Sequence, residues 1–531
     1  MAQKYISFAD ASLKIGVSIA TIRNWVKERY LPAINGKITL CSFDNFLNDV
    51  DFEKKLISRA NKTRKGFHDH EYLSEIIKEK SKLDNMAGFN ISKEYEFLLS
   101  ESFRNKEGIF YTPQNIVCDM LKSVKVTKNK TFLDPCCGSG NFIIEAVKKG
   151  FSLENVYGFD TDENAAAITK KRICDLTGVE SKNIFNSDFL QTANLSDKKF
   201  DYIFTNPPWG KKLPKNIREN FAKIYKSQKS TDTSSLFFCA SLFLLNENGK
   251  LGFLLPEAFF SISCFQDVRK IVLKYDIERF IDYGKPFEKL LTKAKAIILS
   301  NKQSENEIIC EIGQKKHLRS KKTFENIPNK IFNFSIKTDE SNLIDYIFSE
   351  EYITLKNNAK WGLGIVTGNN EKFVVKEKKE NYIPVWRGRD ITGNGLKDPT
   401  NFIPDKFEFY RQVAPLESYN AKEKLIYKFI SSKLCFFVDN KQRFLLNSAN
   451  FLILNEKFLL TAKQVSDYFN SNFANWLFKS VFDTHKILRG DLETIPISAK
   501  YFETNKIFDE KTYLDFLQIE RIDNGKYRKI N

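Results

Sequence analysis

The string Asn206-Pro207-Pro208-Trp209 is the stretch of this chain whose residue types and spacing suit a definite chemistry. It follows Asp201 to Thr205, which reads as a short buried strand, and open α/β sheets hold their ligands at the carboxyl ends of strands. Asn206 offers a side-chain carbonyl acceptor. The two prolines fix φ and remove two donors, so the Pro207 carbonyl can be held toward the same group. Trp209 offers a flat π surface for stacking a base taken out of its helix. Two fixed acceptors suit an exocyclic nucleobase amine, whose lone pair is delocalised into the ring. Acceptors pulling on its hydrogens favour a pyramidal nitrogen aimed at a methyl sulfonium, by electrostatic preorganisation and without a strong base. A proline-rich turn with an incidental aromatic would carry the same letters.

Such a loop needs a sheet to present it and a partner site beside it. Thr131 to Phe142 reads as a buried strand, a glycine turn and a helix start, with Asp134 at the strand end placed to bind an amine. No Gly-Lys-Ser/Thr closes this turn, which excludes the phosphate-loop form. A second strand, Val156 to Asp160, ends in a carboxylate where the ribose hydroxyls of an adenosine would be bound. In a third unit, Asp188 supplies an acceptor for an adenine amine and Phe189 a stacking face. Gln114 to Val124 reads as an amphipathic helix, Ser234 to Leu245 as a buried helix, and Gly252–Pro256, Ile277–Asp282 and Ala294–Leu299 as further core strands. The fold class expected is α/β with a doubly wound, Rossmann-like core.

The series Tyr111-Thr112-Pro113, Asp134-Pro135-x-x-Gly138-x-Gly140-x-Phe142, Gly158-Phe159-Asp160, Asp188-Phe189 and Asn206-Pro207-Pro208-Trp209 resembles the gamma-class DNA adenine-N6 methyltransferases of restriction-modification systems. The resemblance covers roughly residues 86–330 and departs from the commonest form in having Trp209 where Tyr or Phe is usual. It implies S-adenosyl-L-methionine as cofactor, held by Tyr111, Thr112, Asp134, Pro135, Gly138, Gly140, Asp160, Asp188 and Phe189. It implies that Asn206, Pro207, Pro208 and Trp209 hold a flipped adenine, with Phe287 packing on the base's other face. Double-stranded DNA is the implied partner, with a cognate restriction endonuclease as a second, and no metal is implied.

The flanks extend this picture. Residues 1–50 read as a small winged helix-turn-helix: a helix from Phe8 to Ile15, a turn at Gly16-Val17, and a second helix capped by Ser18. A hairpin at Asn35-Gly36 follows, and Ser42 caps a third helix. The module resembles the excisionase and mercury-regulator type, in which Arg23, Asn24 and Lys27 would face the major groove. A protein-docking domain would show the same pattern. Residues 51–85 read as a helical linker, 86–330 as the methyltransferase domain, and 331–531 as an α+β target-recognition domain in which Arg387, Arg389 and Arg489 lie near glycine turns. An oligomerisation domain is the alternative for that last region.

Composition agrees with a soluble globular chain: 42% of its 531 residues are hydrophobic and 28% charged. No apolar run approaches membrane-spanning length and no signal pattern opens the chain, so a cytoplasmic location is expected. The nine scattered cysteines are expected reduced. His68 and His70 read as solvated rather than as a metal site. The net charge of +17 suits a polyanionic partner. Most of the excess falls within residues 101–330, and Lys211 and Lys212 beside the Asn206 loop suit strand phosphates. A lysine-rich coding bias would give the same excess. Cytosine-N4, RNA or protein methylation, and a non-catalytic DNA-binding regulator, remain open at this level.

Overall fold

The computed structural model describes residues 5–15, 22, 31, 38–40, 43–44 and 110–530, except 128, 288–289, 291, 303–306, 393–394, 483 and 485. The chain divides into two compact units. One comprises Met1–Phe259, Lys274–Glu305 and Glu311–Gln314; the other comprises Phe260–Leu273, Asn306–Cys310 and Lys315–Asn531.

The first unit supplies seven successive strands of a nine-stranded sheet: β1 (Phe132–Asp134), β2 (Val156–Asp160), β3 (Ile184–Asn186), β4 (Phe200–Thr205), β5 (Leu245–Pro256), β6 (Asp276–Asp282) and β7 (Ala294–Ser300). They lie in the order β3-β2-β1-β4-β5-β7-β6. The first five are parallel to one another, and β7 runs antiparallel to both β5 and β6. Every residue of β1 and β7 is buried, as strands covered on both faces require. The chain winds outward from β1 to β3 and then returns to β4 on the other side of β1. That reversal opens a crevice outside the carboxyl ends of β1 and β4.

The helices of this unit include α1 (Gln114–Met120), α2 (Asn141–Lys148), α3 (Glu163–Thr177), α4 (Phe189–Thr192), α5 (Lys215–Ile224) and α6 (Thr233–Phe243). Asp162, Asp188 and Asp232 cap α3, α4 and α6 by accepting a backbone N–H two residues on, and Gly178 ends α3 at φ 72°. Three elements differ from expectation. Helix α1 stops at Met120 rather than Val124, the chain going on in turns that still bury Leu121 and Val124. Helix α6 ends at Phe243 because Leu245 already pairs with Phe200, so β5 is longer than Gly252–Pro256.

At the N-terminus the helix Phe8–Ile15 forms as expected. Tyr5–Ile6 pairs antiparallel with Ile38–Thr39, and Ile6, Ala11, Ile22, Leu31, Ile38 and Phe43 make a small core. The expected turn at Gly16-Val17, the helix bearing Arg23, Asn24 and Lys27, the Asn35-Gly36 hairpin and the linker 51–85 lie outside the described residues.

The second unit is α+β. Strands Ala359–Leu363, Ala449–Leu454, Lys424–Lys428 and Phe436–Asp439 form an antiparallel sheet in that order. Helices Ala462–Asn470 and Asn472–Phe482 bury Tyr468, Phe469, Phe473 and Leu477 in its main core. Inside the unit Lys424 and Asp439, both without solvent exposure, pair at 2.7 Å, and Arg443 reaches the other Asp439 oxygen at 2.7 Å. The glycines at 364 and 388 serve close backbone approach. A Cβ on Gly364 would lie 2.4 Å from the carbonyl oxygens of both Leu446 and Ala449, and one on Gly388 would lie 2.4 Å from that of Ser448. Gly364→Ala must therefore push backbone apart, and we expect a loss of about 1–3 kcal/mol or more, read as a lower denaturant midpoint.

Candidate active site

The crevice at the switch point is a cavity of about 310 Å³. Its wall includes Tyr111, Thr112, Asp134, Pro135, Gly138, Asp160, Asp188, Phe189, Asn206, Pro208 and Lys211, brought together from the ends of β1, β2, β3 and β4. Gly140, Pro207, Trp209, Lys212 and Phe287 are not part of that wall.

Asp134 is buried at the end of β1. Its Oδ1 accepts the Thr205 hydroxyl at 2.5 Å and the Cys136 N–H at 3.2 Å. Its Oδ2 is buried with no hydrogen-bond partner among the described residues. Burial pushes this carboxyl up to about 7. Asp160 accepts the backbone N–H of Gly138 at 2.8 Å through one oxygen and that of Asp162 at 2.9 Å through the other. Burial raises it to about 6 against those bonds and the nearby positive charge of Lys211. Each oxygen keeps a lone pair for a hydroxyl donor. Asp188 caps α4 through the Leu190 N–H at 2.9 Å and also accepts the Gln191 amide at 3.2 Å. Phe189 packs against Phe237, rings 5.7 Å apart and nearly parallel, and edge-on against Phe159.

The glycine turn is propped from below. Gly138 takes φ 53°, and a Cβ there would meet the Tyr111 ring at 3.0 Å. Gly140 takes φ 89° and faces Thr169 of α3, where a Cβ would lie 2.7 Å from the hydroxyl. Arg172, largely buried and lowered to about 10 by that burial, donates to the Ser139 carbonyl and to Asn141 Oδ1. Asn141 in turn donates to the Thr112 carbonyl at 2.9 Å, tying the Tyr111-Thr112 segment to the turn.

At the end of β4 the Asn206 amide nitrogen donates to the Phe110 carbonyl at 2.7 Å. A carbonyl can only accept, so the amide must meet it with its N–H end, and this bond fixes which end of the amide is which. Asn206 Oδ1 is left buried without a partner among the described residues. Trp209 is buried, its indole N–H directed to the Leu254 carbonyl at 3.4 Å. Phe110, Trp209 and Phe287 form a ring cluster: Trp209 and Phe287 stand nearly perpendicular at 5.3 Å, and Phe110 touches both. Trp209 and Phe287 are thus in contact with each other rather than spaced to take a base between them.

Of the expected DNA-facing residues, Lys211 lines the cavity whereas Lys212 is exposed, as are Lys215, Arg218 and Lys223 on α5. Within the second unit Arg389 is exposed and Arg387 half-buried, while Arg489 pairs with Glu493 at 2.7 Å and lies over the Trp361 ring. Phe110, Cys136, Asn141, Arg172, Thr205 and Phe237 belong to the site without having been singled out from sequence. Among the described residues no helix is long and apolar enough to cross a membrane.

Parallel strands that reverse their order at β1/β4, with two unpartnered acceptors in the crevice there, are a frame for holding a ligand at the strand ends. Residues 89–342 match the N-6 DNA methylase family, and residues 383–497 match the TaqI-like C-terminal specificity domain. The Type II methyltransferase M.VspI of Vibrio sp. (strain 343) is 45% identical over 394 residues, spanning 73% of this chain and 97% of the relative. M.AccI of Acinetobacter calcoaceticus is 26% identical over 323 residues, 56% of this chain and 58% of that one. The solved structure described as "cryoEM structure DrdV-DNA complex" shares the fold at a TM-score of 0.52 and 14% identity, covering 84% of this chain and 62% of that one. The chain belongs to the N-6 DNA methylase family. It is an adenine-specific DNA methyltransferase whose homologues are Type II restriction-modification enzymes. The cytosine-N4, RNA and protein alternatives fall away with that assignment.

Proposed function

We propose that the enzyme draws its methyl group from S-adenosylmethionine bound in the 310 Å³ cavity and delivers it to an adenine turned out of duplex DNA. One observation carries this: Asp134 Oδ2 and Asn206 Oδ1, at the ends of adjacent strands, are both buried acceptors with no partner among the described residues. A buried acceptor without a donor costs stability, and a ligand donor at each would remove that cost. The cofactor's part is to supply an electrophilic methyl group on a sulfonium. Asp134 would hold its amine, Asp160 its ribose hydroxyls, and Phe189 its adenine, with Tyr111, Thr112, Pro135, Asp188 and the Gly138 turn completing the wall and Gly140 holding that turn against α3. Asn206 Oδ1 and the Pro207 carbonyl would accept the hydrogens of the target amine, leaving its lone pair directed at the methyl carbon. For Trp209 to stack a base, its contacts with Phe110 and Phe287 would first have to open.

The basic surface formed by Lys212 and α5 suits strand phosphates, and the second unit, with Arg387, Arg389 and Arg489, suits reading the duplex. Arg23, Asn24 and Lys27 would add a second DNA contact from the N-terminal module. A cognate restriction endonuclease completes the proposal.

Binding of a cationic amine requires the ionised Asp134. With that carboxyl at about 7, affinity is full above this pH and falls roughly tenfold per pH unit below it. Calorimetric titration with S-adenosylhomocysteine between about pH 6 and 8 reads this slope, and Asp134→Asn flattens it. The test of the whole proposal is to incubate the protein with labelled S-adenosylmethionine and unmodified genomic DNA, then digest and identify the labelled nucleoside. N6-methyladenine supports it; label absent from DNA despite bound cofactor sinks it.

A further inference from the structure

Thr205 is the last residue of β4, fully buried, and has no place in the roles assigned above. Its hydroxyl lies 2.5 Å from Asp134 Oδ1 and 2.9 Å from the Cys136 sulfur. The Cys136 sulfur also lies 3.3 Å from the backbone carbonyl of Asn206. An ionised carboxylate only accepts, so the single hydroxyl hydrogen goes to Asp134. The thiol hydrogen then serves the Thr205 oxygen or the Asn206 carbonyl. With the Cys136 N–H also on Oδ1, that oxygen is occupied on two sides, and Oδ2 is the one left without a partner.

We infer that Thr205 is a positioning residue: its hydroxyl turns Asp134 so that Oδ2 faces the cavity, and through Cys136 it ties that carboxylate to the backbone of the Asn206 loop. The inference rests on the proposal that S-adenosylmethionine occupies this cavity. It extends that proposal to a physical link between the two half-sites, since one hydroxyl at the end of β4 touches both the acid of β1 and, by one sulfur, the residue that begins the loop. The same bond favours the charged form of Asp134 against burial.

The experiment uses the full chain and S-adenosylhomocysteine as the probe, titrated by calorimetry across about pH 6 to 8. Thr205→Val keeps the shape and removes the donor. It is expected to weaken binding roughly 10–100-fold at the alkaline end, the range of a lost hydrogen bond to a charged group, and to move the pH midpoint upward. Thr205→Ser restores both affinity and midpoint. Should the valine variant not fold, Thr205→Cys, a weak donor of similar size, is expected to show the same shift to a lesser degree. An unchanged midpoint in Thr205→Val overturns the inference, as does a loss that is independent of pH or is not rescued by serine. Absence of any binding by the unaltered protein is a different result: it overturns the cavity assignment itself, and the inference with it.

Discussion

Replacing Asn206 by alanine is expected to lower methyl transfer to DNA by about 10²–10³-fold or more while S-adenosylhomocysteine affinity stays within about threefold. The expectation follows from the separation of the two unpartnered acceptors. Asn206 Oδ1 belongs to β4 and Asp134 Oδ2 to β1, and the Asn206 amide is held by the Phe110 carbonyl rather than by any residue assigned to the cofactor. Removing the amide deletes an acceptor for the target amine and leaves Asp134, Asp160 and Phe189 in place. Single-turnover transfer and calorimetry on the same preparation decide it. Loss of both properties together would mean that Asn206 supports the cofactor side of the crevice, and that the division between half-sites is wrong.

The second large effect lies in the other unit. Asp439→Ala is expected to destabilise it by about 3–5 kcal/mol, because Lys424 would keep a fully buried ammonium with only the Tyr419 carbonyl for company. For a unit of this size that is a fall of roughly 10 °C in its melting transition. Burial works against the charged form of Asp439, yet the Lys424 and Arg443 contacts outweigh it and hold the carboxyl below the usual range. Its contribution is therefore complete above the ordinary carboxylate pKa and is lost as pH falls through the lower folded value. The double replacement Lys424→Met with Asp439→Leu should recover much of the loss, since neither charge is then left alone. Differential scanning calorimetry on the three variants tests this; equal melting of Asp439→Ala and the unaltered protein would show that the pair contributes nothing.

The strand ends were the legible part of the fold. Asp134, Asp160 and Asn206 each follow a short apolar run, and a parallel sheet buried on both faces leaves little choice about where those runs stop. Helix Phe8–Ile15 was equally plain from its period. What sequence did not disclose is everything that depends on a partner far along the chain. Nothing local marks Phe110 as the residue whose carbonyl orients Asn206, or Arg172 as the prop beneath Ser139, because 96 and 33 positions separate those pairs. Phe237 sits in a helix that is apolar on every side, so no period distinguishes the ring that reaches Phe189 from its neighbours. Trp209 was legible as an aromatic, but not as one already engaged by Phe110 and Phe287. Glycines 364 and 388 were visible as turn letters, and only the approach of residues 446–449 gives their physical reason.

The edge-on contact between Trp209 and Phe287 has a consequence for how such an enzyme waits for its substrate. An indole shaped to receive a purine would, left open, be an apolar surface in search of any planar molecule. Buried against Phe110 and Phe287, it offers little free surface to nucleotides or to stray hydrophobic solutes. A newcomer must replace a ring contact worth about 0.5–1.5 kcal/mol before it gains anything. That threshold is trivial for a base delivered by a bound duplex, whose phosphates and groove contacts would supply the surplus, and lowers the affinity of a small molecule by about tenfold at most. If Trp209 stacks the target base as proposed, the contact would favour a base delivered by the polymer over a free one.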